Sequence, residues 1–156
     1  MDKVTAELLV RTGPDTPMGK LMRRFWVPVM LASEIAEPDC PPVRVKILGE
    51  KLIAFRDTQG RAGLVDEFCA HRGVSLFLGR NEEGGIRCSY HGWKFGVDGR
   101  CMELPSVPHL AEKMQIKSYP CIERGDVLWA YMGPPDLMPQ PPELEWCMVP
   151  ASHRFV

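Results

Sequence analysis

Apolar residues recur at two different spacings along this chain, and the change of period divides it. After Thr16-Pro17, residues Met18, Leu21, Met22 and Phe25 fall at i, i+3, i+4 and i+7, the stripe of one face of an amphipathic helix. Thr16 offers an N-cap hydroxyl and Pro17 suits the first helical position, so the pattern predicts a short helix packed on the domain and stopped by Pro28. From Val43 the period drops to two. Val43, Val45 and Ile47 alternate with Arg44 and Lys46, and Gly49-Glu50 reads as a two-residue loop into Lys51-Leu52-Ile53-Ala54-Phe55-Arg56, which predicts a β-hairpin.

Turn signals at Asp57-Thr58-Gln59-Gly60, Glu83-Gly84-Gly85, Asp98-Gly99 and Arg124-Gly125-Asp126 punctuate short apolar runs such as Val127-Leu128-Trp129-Ala130-Tyr131. Strands this short and this closely spaced predict a mainly β fold, an antiparallel sandwich or small barrel. Past Gly133 the run Pro134-Pro135-Asp136-Leu137-Met138-Pro139-Gln140-Pro141-Pro142 cannot donate regular ladder hydrogen bonds and reads as an extended strap. Trp146, Met148 and Phe155 follow without a closing turn, and a further segment is expected beyond them. The expected organisation is a helical extension over 1–35, a β domain over 36–133 and a Pro-rich strap over 134–156.

Composition narrows the function classes. A chain of 156 residues suits one compact core. With 19 basic and 20 acidic residues, net charge −1, and no basic run longer than Arg23-Arg24, neither nucleic acid nor a membrane surface is an expected partner. The N-terminus mixes charges where a signal peptide needs an apolar core, and no run approaches about 18 apolar residues, so a cytoplasmic protein is expected. In that setting six cysteines point to reduced thiols and metal ligands rather than to a disulfide scaffold.

The chemistry concentrates in Cys69-Ala70-His71 and, after sixteen intervening residues, Cys88-Ser89-Tyr90-His91. Each pair follows an expected strand, at Leu64-Val65 and Ile86-Arg87, and is trailed by a glycine, Gly73 or Gly92, whose missing Cβ lets backbone N–H groups approach sulfur. Two Cys and two His could close a structural zinc site. A zinc finger pairs like with like, whereas each loop here mixes thiol and imidazole, which suits a binuclear cluster with sulfur on one iron and nitrogen on the other. The mixed order alone leaves both alternatives open.

Cys69-Ala70-His71-Arg72-Gly73 and Cys88-Ser89-Tyr90-His91-Gly92-Trp93 resemble the two cluster-binding boxes of Rieske proteins. The resemblance implies a Rieske-type β-sandwich holding a [2Fe–2S] cluster, with Cys69 and Cys88 on the inner iron and His71 and His91 on the outer one. Arg72 and Trp93 are further candidates, Arg72 to face a redox partner and Trp93 to shield the cluster from water. Respiratory Rieske proteins carry an extra disulfide-bonded cysteine in each box and a serine after the second glycine. Those places hold Val74, Tyr90 and Trp93 here, which implies a low potential near about −150 mV. Tyr90 itself is expected to be an ordinary packed tyrosine, and Cys40, Cys101, Cys121 and Cys147 ordinary reduced packing residues.

Leu9-Val10-Arg11-Thr12-Gly13, Phe25-Trp26-Val27-Pro28-Val29 and Gly92-Trp93-Lys94-Phe95 extend the likeness to the N-terminal region of Rieske non-haem iron oxygenases of the phthalate dioxygenase-like group. The resemblance implies single-electron relay from a reductase or ferredoxin to a mononuclear Fe(II) in a following catalytic domain of the same or a neighbouring subunit, within a homo-oligomer, commonly a trimer. With two of four histidines assigned to the cluster, only His109 and His153 remain, too far apart for the facial triad of that iron, and both are expected to be idle. Electron transfer without catalysis is therefore expected of these residues, with no catalytic residue among them. The other reading is a free-standing Rieske ferredoxin, which would lack the helical extension and the strap.

Overall fold

The computed structural model describes residues 2–153, so Phe155 lies outside the described residues. Two short helices open the chain. In α1 (Lys3–Val10) the Asp2 carboxylate accepts the Thr5 N–H at 2.9 Å, and in α2 (Pro17–Met22) the Thr16 hydroxyl accepts the Gly19 N–H at 3.1 Å. The second helix starts where its cap predicts but ends at Met22 rather than running to Pro28. Strand β1 (Trp26–Leu31) takes the rest of the stripe, with Pro28 inside it. Proline is tolerated because β1 is an edge strand whose register slips between Pro28 and Met30.

The expected hairpin forms from β2 (Val43–Ile47) and β3 (Glu50–Arg56), but its loop is Leu48-Gly49, one residue earlier than the sequence suggested. Both loop residues have positive φ, 45° and 82°, the twist that suits a tight hairpin. Glu50 thereby becomes a strand residue paired with Ile47. The remaining strands are β4 (Ala62–Asp66), β5 (Arg80–Glu82), β6 (Gly85–Arg87), β7 (Lys94–Phe95), β8 (Cys101–Glu103), β9 (Ser118–Tyr119), β10 (Cys121–Arg124) and β11 (Val127–Tyr131), followed by the helical turn α3 (Glu145–Met148).

These strands form three antiparallel sheets, ordered β1-β11-β10, β2-β3-β4-β9 and β5-β6-β7-β8. The middle sheet is covered on both faces. Leu52, Ala54 and Leu64 join Val27, Ile35, Leu128 and Ala130 in one core, while Ile53, Phe55 and Val65 join Leu76, Ile86, Phe95 and both ligand-loop cysteines in the other. That double burial is why β3 reads as an almost unbroken apolar run. Wholly buried Phe55 alone contributes about 2–3 kcal/mol relative to an exposed ring. The architecture is the expected mainly β sandwich, and the second core places the candidate site at one end of it.

The Pro-rich strap lies back on the first sheet. The Trp26 indole N–H donates to the Pro139 carbonyl at 3.0 Å, Tyr131 Oη to Pro134 at 3.0 Å and Arg124 Nη1 to Pro142 at 2.8 Å, so side chains supply the donors that proline lacks. No helix among the described residues is long and apolar enough to cross a membrane.

Candidate metal centre

Two loops project from the second core and are closed in the same way. The first, between β4 and β5, has Cys69 N–H donating to the Val74 carbonyl at 2.9 Å and Gly73 N–H to the Cys69 carbonyl at 2.9 Å. The second, between β6 and β7, has Cys88 N–H donating to Trp93 at 2.8 Å and Gly92 N–H to Cys88 at 3.1 Å. In each, the glycine before the closing residue takes positive φ, 65° at Gly73 and 74° at Gly92, a conformation in which other residues are strained. Both loops thus fold back on their own cysteine.

This closure sorts the donors by depth. Cys69 and Cys88 are 3% and 4% exposed at the roots, whereas His71 and His91 are exposed at the rim. The two imidazole centroids are 4.6 Å apart, nearly edge to face. Burial pushes the Cys69 thiol up to about 11; N–H groups of His71 and Arg72 aimed at its sulfur oppose this, and the adjacent Cys88 thiol adds to it. Burial, His91 and Arg72 all hold His71 below the ordinary histidine range. The Cys69 thiol at depth is therefore held neutral and the His71 imidazole above it resists protonation, so that metal binding would have to displace the thiol proton but none from His71.

Trp93 is 8% exposed and stacks on His71, with centroids 4.6 Å apart and planes inclined by 3°. Tyr90 departs from expectation: it is 59% exposed and lies against His91 at 3.7 Å rather than in the core. The second loop turns back toward Cys88 while Tyr90 is at its tip, where the core does not reach. Arg72 is exposed, and its contact with the site is through its backbone N–H. Among the described residues no disulfide is formed. His109 is exposed and away from the loops in sequence, and His153 meets the Ser152 hydroxyl at 2.9 Å.

Sequence reasoning missed the groups that brace the loop bases. At the first, the Glu67 carboxylate accepts the Ser75 hydroxyl at 2.7 Å and Arg44 Nε at 2.9 Å, with the Arg44 guanidinium over the Phe77 ring at 4.0 Å. The Ser75 bond holds Glu67 below the usual carboxylate range despite burial. At the second, Arg87 donates to the Gly92 carbonyl at 3.1 Å and pairs with Glu82 at 2.6 Å and Glu103 at 2.9 Å, while buried Lys94 pairs with Glu83 and Glu103. The only sequence signal was the placing of charged residues beside apolar strands, which does not name their partners.

The profile of the Rieske [2Fe–2S] domain matches residues 25–120. This chain belongs to that family. The Rieske domain is similar to the phthalate 4,5-dioxygenase oxygenase subunit of Pseudomonas putida, 51% identical over 136 residues that make up 85% of this chain and 31% of that protein. It is also similar to the 3-chlorobenzoate-3,4-dioxygenase oxygenase subunit of Comamonas testosteroni, 48% identical over 94% of this chain and 34% of the relative. Dicamba monooxygenase bound to dicamba superposes with a TM-score of 0.73 at 26% identity, over 82% of this chain and 41% of that one. The chain spans about a third of the length of the curated relatives it matches, and it corresponds to their N-terminal part.

The residues present fit the family's cluster. Two buried sulfurs with backbone N–H groups aimed at one of them suit the inner iron, and two imidazoles side by side at the rim suit the outer iron.

Proposed function

We propose that Cys69, Cys88, His71 and His91 hold the Rieske cluster, and that this domain relays single electrons from a reductase or ferredoxin to a mononuclear iron in a following catalytic domain. The observation that carries this reading is the pair of identically closed loops, thiols at their roots and imidazoles 4.6 Å apart at their rim. When bound, the cluster stores and releases one electron. The chain's own residues bind it through the thiolates, orient it through the braced loop bases and keep water from its inner side with Trp93 and the second core. His71 and His91, at the rim, provide the short outward path.

The relatives favour an oxygenase component over a free-standing ferredoxin, because their similarity runs through the helical extension over 1–35 as well as the ligand loops. In this reading the domain proper is 36–133, and the strap over 134–156, pinned to the first sheet, leads toward the catalytic domain of a cytoplasmic homo-oligomer. The names of the phthalate and 3-chlorobenzoate relatives point to an aromatic substrate, chosen by that domain.

The test is anaerobic preparation followed by iron and acid-labile sulfide analysis, absorption, and EPR after dithionite reduction. The reading expects two irons, two sulfides and a mixed-valence signal with nitrogen coordination, lost in Cys69→Ser and His91→Ala, and a midpoint near about −150 mV. Protein that binds zinc and no sulfide overturns it.

A further inference from the structure

The surroundings of the two ligand loops differ in charge. Beside the first loop, the β2–β3 hairpin places Lys46 directly across from Lys51, both exposed, with like charges in register on neighbouring strands. Such a pairing is unfavourable. Neither lysine forms an ion pair among the described residues, although Lys51 Nζ lies 5.9 Å over the Phe68 ring, next to Cys69 in the chain. Arg44 on the same hairpin, half exposed beside its partner Glu67, stacks on exposed Phe77, and Arg72 stands exposed on the loop itself. Beside the second loop the cations are covered and matched: Arg87, which donates to the Gly92 carbonyl, and Lys94 are paired with Glu82, Glu83 and Glu103, while Ser89, Tyr90 and the segment Pro105-Ser106-Val107-Pro108-His109 carry no lysine, arginine or carboxylate.

We propose that Arg44, Lys46, Lys51 and Arg72, with the exposed rings of Phe68 and Phe77 between them, form the docking surface for an acidic electron-donor protein. The inference rests on the function proposed above and adds the place and the charge of the partner. The basic surface attracts and orients a negatively charged iron–sulfur protein, and the two rings supply the desolvated contact at its centre. One electron leaves the donor's reduced centre and is taken up at the ligand loops, with no bond made or broken and no proton moved. Lys51 is met in part by the Glu67 carboxylate, and the partner's carboxylates complete the neutralisation of the Lys46–Lys51 pair.

The probe is a plant-type [2Fe–2S] ferredoxin, whose surface is acidic. Its affinity for the oxidised chain is measured by calorimetry, and the rate at which it reduces the chain by stopped flow, each across a salt series. Lys46→Glu/Lys51→Glu is expected to weaken binding and slow reduction about tenfold at low salt, with the difference closing at high salt, where the Debye length is about 3 Å. Arg100→Glu/Lys113→Glu, the same change of charge away from the hairpin, is expected to do neither. Reduction by photoreduced deazaflavin, a small neutral donor, should be equal in all three proteins. If both double variants weaken the ferredoxin equally, or neither does while the cluster spectrum is intact, the docking surface is wrong and the electron-transfer reading stands. Native protein without a cluster spectrum defeats both. Failure of the native chain to bind the ferredoxin at low salt also overturns the surface, and would assign the face to a neighbouring subunit.

Discussion

The indole of Trp93 lies parallel to the imidazole of His71, 4.6 Å between centroids, and is itself backed by Phe95 at 6.4 Å. The tryptophan closes the second loop, whereas the histidine belongs to the first, so the stack ties the two loops together as well as covering one ring. Reduction adds a negative charge to the site, and water stabilises that charge better than an indole does. Trp93→Leu is therefore expected to raise the midpoint by roughly 30 mV, equivalent to about 0.7 kcal/mol for a one-electron couple. Protein-film voltammetry checks it; an unchanged or lowered midpoint would show that Trp93 does not control water at the site.

Glu67 is expected to matter through the first loop's stiffness. Its side chain is 10% exposed and holds both Ser75 and Arg44, while the neighbouring backbone pairs Glu67 with Leu76 at 2.7 Å. Glu67→Gln keeps the shape but loses the charge-assisted bonds, a cost of about 1–2 kcal/mol. The visible absorbance of the variant should decay severalfold faster in the presence of a chelator, with the reduced-state spectrum unchanged. A decay rate equal to the native one would limit Glu67 to general stability.

What the sequence showed and what it hid follow from the range of the interactions. The ligand loops were legible because donor type, spacing and trailing glycine all lie within each loop. Thr16 was legible as a cap for the same reason. The hairpin was found but its loop was placed one residue late, because Glu50 is drawn into the strand by Arg23, Lys117 and Tyr119, all remote in sequence. The end of α2 was misjudged because β1 answers to its pairing with β11, remote in sequence. Helix α1 was not read at all: it buries no residue and rests on its Asp2 cap. Arg44–Glu67 and Arg87–Glu103 were hidden likewise, since nothing local selects one carboxylate among twenty acidic residues.

The two loop glycines should differ in tolerance. Alanine at either requires a non-glycine residue at positive φ, a cost of about 1–2 kcal/mol. At Gly73 an added Cβ meets nothing within 4 Å, but at Gly92 it would lie 3.3 Å from Pro105 Cγ. Gly92→Ala is therefore expected to lower the urea midpoint further than Gly73→Ala does. Equal midpoints would mean that the segment at Pro105 yields freely and does not support the second loop.

Acid stability should depend on Glu50. Burial alone would raise its carboxyl, but bonds from Arg23 at 2.8 Å, Lys117 at 2.8 Å and Tyr119 at 2.7 Å outweigh that and hold it below the ordinary value of 4.5. Because the folded carboxyl is more acidic than the unfolded one, its contribution is complete above the unfolded value and drains away as pH falls through the lowered folded value. The melting temperature of the native protein should accordingly fall from about pH 5 downward. In Glu50→Gln the Arg23 guanidinium, 9% exposed, is left without its counter-charge, which costs about 3 kcal/mol at neutral pH. The variant should start lower and lose less on acidification, so that the two curves converge as pH falls through the lowered folded value. Parallel curves would place the acid-labile group elsewhere and reduce the Arg23–Glu50 pair to a packing contact.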